Sequence, residues 1–231
     1  ASDVYKRQSD YLPSLGFDKI DGILLDLGTS SMQLDNPERG FSFKYNSPLD
    51  MRMSQTGETA YDIVNSLSEG SLANIIYNFG EERKSRKIAK AIIDERKINK
   101  IVTTFDLNKV ILKVKKIRNR KIHPSTKTFQ ALRIYINHEL KDLYHALISA
   151  ERVLSEGGKL IVISFHSLED RIVKNFIREN SVSYKNYDPS NNDKTFVYQT
   201  RRVIKPSAEE IKINRRSRSA KLRWVVRSSY N

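Results

Sequence analysis

Two short polar stretches, each at the end of an apolar run, contain residue types that could do chemistry. They are Asp26-Leu-Gly-Thr-Ser-Ser31 and Ser164-Phe-His-Ser-Leu-Glu-Asp170. An aspartate at a strand end can accept hydrogen bonds from an amine or a ribose hydroxyl, and Gly28 lets the backbone approach a ligand. Because ligands of open α/β sheets gather at the carboxyl ends of strands, both stretches are candidate binding loops. The sequence leaves open the alternative in which Asp26 only caps a turn.

The second stretch does not have the pattern of a hydrolase or of a metal site. Ser164, His166 and Asp170 are the residue types of a catalytic triad, but Ser164 and His166 lie two residues apart on one strand. The G-x-S-x-G turn that presents a serine nucleophile is absent from the sequence. No metal is expected, because ligand spacing and a matching carboxylate pattern are missing around the four histidines, His123, His138, His145 and His166.

The elements that position these stretches can be predicted from the spacing of apolar residues. Short apolar or alternating runs predict strands at 21–28, 159–165, 196–204 and 222–226. The first two are apolar enough to be buried parallel strands. Strands and helices follow one another as in the second half of an open α/β sheet. The polar segment 181–194 is predicted to be a mobile surface loop.

Apolar residues at helical spacing predict the helices. Four helices are expected between 59 and 115, a long amphipathic helix over 126–154, and further helices from Ser167 to about Glu179 and from Pro206. The predicted N-terminal caps are Thr59, Ser71, Thr104 and Ser167.

Positive charge is concentrated in two blocks of the sequence. The net charge is +14, with 15 Lys and Arg against 5 Asp and Glu in 81–121 and 10 against 2 in 201–227. A large polyanion such as RNA is the expected partner, and a solvated helical face is the alternative. The chain has no cysteine, so disulfides and thiolate chemistry are excluded and a reducing, cytoplasmic setting fits best. No signal peptide or membrane-spanning run is present, so no membrane partner is expected.

Six sequence motifs together carry a resemblance to a known family. In chain order they are DGILLDLGTSSMQLDNPERGFSF, SPLDMRM, FGEERKSRKIAKAI, HPSTKTFQALRIYINHEL, GGKLIVISFHSLEDRIVKNF and RSRSAKLR. From about Lys19 to Arg227 the chain resembles the ribosomal RNA small subunit methyltransferase H family, also called the MraW proteins.

The resemblance implies an enzyme that uses S-adenosyl-L-methionine to methylate N4 of one cytidine in 16S ribosomal RNA, at the decoding site of the small ribosomal subunit. It implies a class I (Rossmann-like) methyltransferase domain, here 9–50 and 123–231, with an inserted basic helical domain for substrate recognition at 51–122. The family's cofactor contacts after the fourth strand correspond to Asp26 and Gln33 in this sequence.

The resemblance also raises an expectation about the start of the chain. The family's first three strands carry a Gly-Gly-His loop, an acidic residue and a phenylalanine, whereas the one adjacent glycine pair here, Gly157-Gly158, follows a helix. Residues 3–8 read like the in-frame translation of a transposase adaptor, so residues 1–8 are expected to be non-native; a genuine N-terminal extension is the alternative. We therefore expect a methyltransferase fragment whose sheet lacks its first strands. A non-catalytic RNA-binding fragment is the alternative. A DNA amino-methyltransferase is disfavoured, because no Asp-Pro-Pro-Tyr loop follows the strand.

Candidates for the remaining roles come from location and chemistry. Asp50 in SPLDMRM and His166 in SFHSLED are the candidates for positioning the target amine; a loop cap and a strand-end hydrogen bond are the alternatives. The residues expected to hold RNA phosphates are Arg83, Lys84, Arg86, Lys87, Arg215, Arg216 and Arg218.

Overall fold

The computed structural model describes most of the 231-residue chain. The described residues are 14–54, 56–116, 122–188, 190, 194–198, 200 and 202–228, so the segment 1–8 lies outside them. The chain divides into two compact units. The sheet unit comprises 1–28 and 139–231, and the helical unit comprises 29–138.

Five strands of the sheet unit form one mixed sheet with the order β1-β2-β5-β4-β3. They are β1 (Ile20–Asp26), β2 (Leu154–Ser164), β3 (Ser181–Ser183), β4 (Phe196–Tyr198) and β5 (Lys221–Arg227). β1 runs parallel to β2, with Leu25 opposite Val162, whereas β5 runs antiparallel to both β2 and β4. β3 begins within the segment predicted to be a loop and pairs in parallel with β4. The predicted α/β fold with an open sheet is confirmed.

Nine α-helices occur within the described residues. They are α1 (Ser31–Asp35), α2 (Ala60–Ser66), α3 (Glu69–Gly80), α4 (Ser85–Arg96), α5 (Thr104–Val114), α6 (Thr126–Ile136), α7 (Glu139–Val153), α8 (Ser167–Asn180) and α9 (Ala208–Ile213). None of the helices in this part of the chain is both long and apolar enough to cross a membrane.

The burial of β1 differs from its prediction as a fully buried strand. Ile23 and Leu25 lie in the core of the sheet unit, but Leu24 between them is 62% exposed. Within the described residues β1 pairs with β2 alone, and successive side chains of a strand point to opposite faces. One face of β1 is therefore packed and the other faces solvent.

The helical unit has its own apolar core, which confirms the predicted helical spacing. Ile63, Leu72, Ile88, Leu107 and Leu132 come from five helices, and none of them has an exposed fraction above 1%. Residues at i, i+3 and i+4 share one helix face, so each helix contributes one stripe to this core.

Thr59 caps α2 as predicted, but the other two caps predicted in the helical unit, Ser71 and Thr104, are wrong. Ser68 rather than Ser71 caps α3, and Thr103 rather than Thr104 caps α5. Thr103 forms a reciprocal capping box with Asp106, whereas the buried Thr104 hydroxyl donates to Tyr45 O. Because the acidic Asp106 lies three positions after Thr103, Thr103 is the cap and Thr104 is the first residue of the helix.

The long helix predicted over 126–154 is two helices. Backbone φ at His138 is +52°, in the left-handed region, and this ends α6. The side chain of the preceding Asn137 donates to the carbonyls of Arg133 and Met51, and it accepts from Met53 N at 2.6 Å. Asn137 thus ties the end of α6 to the loop that carries Asp50.

The compact units have different limits from the predicted domains. Residues 29–50 and 123–138 are predicted to belong to the methyltransferase domain, but they pack with 51–122 in the helical unit. Phe41, Leu49 and Phe129 are buried in its core. Packing of the flanking segments enlarges the unit, and the domain limits of the enzyme stay a prediction.

Candidate functional site

Asp26 lies at the carboxyl end of β1, where a parallel sheet presents ligand-binding loops. Directly after the strand, Leu27 N donates a hydrogen bond to Ile163 O of β2 at 3.0 Å. Asp26 is exposed, and its carboxylate has no hydrogen-bond partner within the described part of the chain. Gly28 follows with φ +93°, a conformation that favours glycine. The site therefore offers an accessible anionic acceptor beside an accessible stretch of backbone.

Gln33 lies in the first turn of α1, in the helical unit. Its side chain accepts from Ser30 N at 3.0 Å, while Ser30 Oγ accepts from Gln33 N at 3.2 Å. This capping box orients the amide and leaves its NH2 group available as a donor. The assignment of Asp26 and Gln33 to the cofactor stays a prediction.

Asp50 is bound closely by Arg52. Its Oδ1 accepts from Arg52 N at 2.9 Å and from Arg52 Nε at 2.8 Å, and Oδ2 accepts from Arg52 Nη2 at 2.9 Å. Burial is the largest single influence on the pKa of Asp50 and raises it, but the hydrogen bonds and charge of Arg52 outweigh burial, so the pKa is lowered. Asp50 is therefore ionised at neutral pH.

The loop that carries Asp50 is held by contacts from within the helical unit. Arg39 Nη2 donates to the carbonyls of Arg52 and Met53 at 2.7 and 3.1 Å. Met51 is only 1% exposed and has φ +63°. A positive φ is unfavourable for methionine, so contacts around Met51 must hold its backbone in this conformation.

His166 is the N-terminal cap of α8, so the predicted cap at Ser167 is wrong. Its Nδ1 accepts from Glu169 N at 3.3 Å. Glu169 Oε2 accepts in return from the backbone N–H groups of Phe165 and His166, at 2.8 and 3.2 Å. The side chain of His166 is 10% exposed and that of Glu169 is 3% exposed. The loop after β2 is thus closed by a buried capping box, which lies beside Asp170.

Asp170 joins this loop to β5. Its carboxylate accepts from Lys221 Nζ at 3.0 Å and from Arg223 Nε at 2.8 Å. Burial acts to raise the pKa of Asp170, but these two hydrogen bonds and charges lower it overall. The acidic residues of SFHSLED therefore serve the local structure, which explains why triad-like residue types occur there without a triad.

Among the residues that the structure describes, one group could offer metal ligands. Glu139, His166 and Glu169 each place a ligand atom within 4.8 Å of the others. However, His166 Nδ1 accepts a backbone N–H, so a neutral ring carries its proton on Nε2 and that nitrogen cannot bind a metal. Glu169 Oε1 lies 3.1 Å from this Nε2. These residues do not fit a metal, and we assign none to them.

We expect Glu169→Gln to lower the free energy of unfolding by about 1–3 kcal/mol, the usual cost of an unsatisfied buried polar group. If the amide oxygen accepts the two backbone N–H groups, the NH2 group takes the place of Oε1, which lies 3.1 Å from His166 Nε2. Two donors then oppose each other in a buried place. Urea denaturation would measure the loss. Glu179→Gln, on the same helix at a side chain that is 64% exposed, is the matched control and should stay within about 0.5 kcal/mol of wild type. Equal losses for the two variants would contradict the prediction.

The basic residues predicted to bind RNA lie on the surface of both units. Arg83, Lys84, Arg86 and Lys87 are exposed at the start of α4 in the helical unit. Arg215, Arg216 and Arg218 are exposed on the 3-10 helix Arg215–Ser219 of the sheet unit. Both placements are compatible with phosphate contacts, which stay a prediction.

The chain matches a known protein family along almost its entire length. The match to the family described as the MraW methylase family covers residues 1–228, so it takes in the segment 1–8, whose origin stays a prediction. The curated relatives include proteins named ribosomal RNA small subunit methyltransferase H from three bacteria.

These relatives are longer than the present chain and similar to nearly all of it. The relative from Bradyrhizobium diazoefficiens is 47% identical over 98% of this chain and 70% of its own length. The relative from Nitrobacter hamburgensis is 50% identical over 93% of this chain and 66% of its own length. The relative from Rhodospirillum rubrum is 48% identical over 99% of this chain and 73% of its own length. This chain therefore spans about two thirds to three quarters of those proteins.

The five-stranded sheet, with its parallel pair β1 and β2 and its flanking helices, is consistent with a Rossmann-like methyltransferase fold. Together with the match over residues 1–228, it confirms the resemblance that the sequence motifs indicated. The chain belongs to the MraW methylase family, a family of methyltransferases.

Proposed function

We propose that this protein transfers a methyl group from S-adenosyl-L-methionine to N4 of a cytidine in the 16S ribosomal RNA of the small ribosomal subunit. The observation that carries this proposal is the identity of 47–50% to proteins named ribosomal RNA small subunit methyltransferase H, over 93–99% of the chain. The choice of cytidine N4 at the decoding site rests on the sequence resemblance. A cytoplasmic location goes with this proposal.

The residues at the end of β1 have suitable chemistry for the cofactor. S-adenosyl-L-methionine supplies a methyl group activated by a positively charged sulfur. The exposed carboxylate of Asp26 would accept hydrogen bonds from its ribose hydroxyls or amino groups. The backbone at Gly28 has no side chain to obstruct a ligand, and the NH2 group of Gln33 would donate.

Asp50 is better suited than His166 to hold the target amine. An ionised carboxylate has about four acceptor positions, and three N–H groups of Arg52 occupy three of them, so about one remains for an amine N–H. An acceptor on that N–H would turn the N4 lone pair towards the methyl group. The Nδ1 of His166 is already engaged and its side chain is nine-tenths buried. We therefore propose Asp50 as the positioning residue.

The substrate must present an unpaired base. N4 of a paired cytidine is occupied in the helix, so the base has to be unstacked before methylation. The exposed arginines and lysines at 83–87 and 215–218 would then hold the neighbouring phosphates.

Calorimetric titration of S-adenosyl-L-methionine tests the cofactor site. Asp26→Ala should weaken binding by about 1.5–3 kcal/mol, the range for hydrogen bonds to a charged group. Asp18→Ala is the matched control, since it removes an exposed carboxylate of the same unit and should leave the affinity unchanged. Equal affinities for the two variants would remove Asp26 from the site.

The same titration on a chain extended to the length of its relatives separates the two candidate functions. If only the extended protein binds the cofactor and methylates small-subunit RNA, the present chain by itself is not catalytic. If neither protein binds the cofactor, the proposed function is wrong.

A further inference from the structure

A large cavity lies within the helical unit, and its lining includes none of the residues proposed for the cofactor or the amine. Its volume is about 750 Å³, within the range of about 300–1,000 Å³ that small-molecule sites occupy. The turn before α4 forms one side, and the end of α5 with the segment before α6 forms the other. The lining residues are Glu82, Arg83, Lys84, Lys113, Val114, Lys115, Lys116, Ile122, His123, Pro124 and Lys127.

The lining is strongly cationic. Six of its residues are lysine or arginine and one, Glu82, is acidic. Lys115 is largely engaged within the protein, because Nζ lies 2.5 Å from Glu82 Oε2 and 2.8 Å from Pro124 O. This pair neutralises the one carboxylate of the lining. The other cations therefore face the cavity without a nearby acid in its lining.

Two of these cations have no partner of their own. Arg83 and Lys116 are exposed, and neither has a hydrogen bond or ion pair within the described residues. Lys127 Nζ donates to Glu81 O at 2.8 Å and keeps two further donors. Lys113 is paired with Glu95. Arg83, Lys116 and Lys127 thus all line the cavity and have free donors, which suits the binding of a phosphate.

The rest of the wall is aromatic and apolar. The His123 ring is stacked on Phe43 with centroids 4.5 Å apart, and its Nδ1 accepts from Ser125 N. Burial, with a smaller effect from Lys115, lowers the pKa of His123, so the ring is neutral at neutral pH and carries its proton on Nε2. Ile122 beside it is 57% exposed. A simple inorganic anion would leave this wall unused, whereas a nucleotide would cover it with its base.

We propose that this cavity is a subsite for one nucleotide of single-stranded RNA. Arg83, Lys116 and Lys127 hold its phosphate, and the base packs beside Ile122 and His123, with the Nε2 proton as a donor to the base edge. The inference rests on the proposed function, since it assumes an RNA substrate, but it assigns residues other than those proposed to bind the cofactor.

Binding of a labelled single-stranded oligonucleotide from 16S ribosomal RNA, measured by fluorescence anisotropy over a series of salt concentrations, tests the phosphate contacts. The double variant Arg83→Ala/Lys116→Ala should reduce the slope of log K against log salt by about 0.7 for each phosphate that the variant no longer binds. The matched control is Lys90→Ala/Lys97→Ala, which removes the same charge from exposed positions of the same unit outside the cavity. Its slope should stay close to that of wild type.

The imidazole proton resonances of His123 test the base contact without any assay of activity. The chain has four histidines, so the signals are few, and His123→Gln assigns them. Cytidine monophosphate should shift the His123 signals more than inorganic phosphate does at equal ionic strength. Equal shifts with both would show an anion site only and would overturn the nucleotide assignment.

The outcomes separate this inference from the proposed function. If wild type binds RNA and the slope falls equally in both double variants, the cavity is not a subsite, although RNA binding stands. If wild type shows no salt-dependent RNA binding, the proposed function and this inference both fail.

Discussion

Replacing Gly40 with alanine should lower the free energy of unfolding by about 2–5 kcal/mol, the sum of a left-handed backbone penalty and an overpacking penalty. Gly40 has φ +65°, and a Cβ at this position would lie 2.2 Å from Pro48 O and 2.9 Å from Asp50 N. Both neighbours are backbone atoms, so no flexible side chain can move aside. The change would displace the segment that carries Asp50.

Gly57→Ala is the matched control for this variant. Gly57 has φ +92°, but a Cβ there would have no atom within 4 Å. It therefore carries the backbone penalty of about 1–2 kcal/mol without the steric overlap. Urea denaturation followed by circular dichroism measures both variants. Equal losses would show that the close approach of Gly40 to the 48–50 segment does not matter for stability.

Replacing Lys115 with alanine should cost about 3–5 kcal/mol of unfolding free energy, because it leaves the Glu82 carboxylate buried without its partner. The side chains of Lys115 and Glu82 are 14% and 6% exposed. Lys115 also donates to Pro124 O, which loses its donor in the variant. The pair joins the turn before α4 to the segment after α5.

The chain offers a second lysine–glutamate pair as a control. Lys113 and Glu95 have the same separation of 2.5 Å, but their side chains are 63% and 30% exposed. Because exposed pairs contribute only about 0–1 kcal/mol, Lys113→Ala should change stability little. If the two alanine variants lose the same stability, burial does not set the strength of the pair.

The Glu82 pair should also make stability depend on pH. Burial is the largest influence on the pKa of Glu82 and raises it, but hydrogen bonds from Lys115 and from Lys84 N, with the charges of Lys115 and Lys127, lower it overall. A carboxyl group with a lowered folded-state pKa stabilises the fold above its unfolded value, about 4.3, and this contribution is lost as pH falls through the folded value. The stability difference between wild type and Glu82→Gln should therefore be constant above about pH 5 and shrink below about pH 4.3.

Several features of this protein can be predicted from residues that are close in sequence. Apolar spacing locates the strands that include Leu25 and Val162 and the helices that bury Ile63 and Leu107, because helix and strand periods are local properties. Thr59 is recognisable as a cap because its capping box with Asp62 spans three residues. The local motifs likewise indicate the family that the comparisons confirm.

The predicted long helix over 126–154 is wrong for a non-local reason. The break between α6 and α7 depends on Asn137. Its side chain forms hydrogen bonds to Met53 and Met51, which lie 84 and 86 positions earlier in the chain. The pairing of Asp170 with Lys221 and Arg223 of β5 likewise joins residues 51 and 53 positions apart. No local apolar pattern contains these partners, so periodicity could not reveal them.

The sequence by itself determined the α/β class, the basic character and the methyltransferase family, since composition and contiguous motifs carry that information. Tertiary structure alone decided which polar groups remain available. It joined Glu82 to Lys115 across 33 residues, and it left Asp26, Arg83 and Lys116 exposed. Whether a polar group can bind a ligand depends on its burial and on the hydrogen-bond partners that the fold brings to it. The three-dimensional environment, rather than the neighbours in sequence, sets the free energy of desolvating a charge.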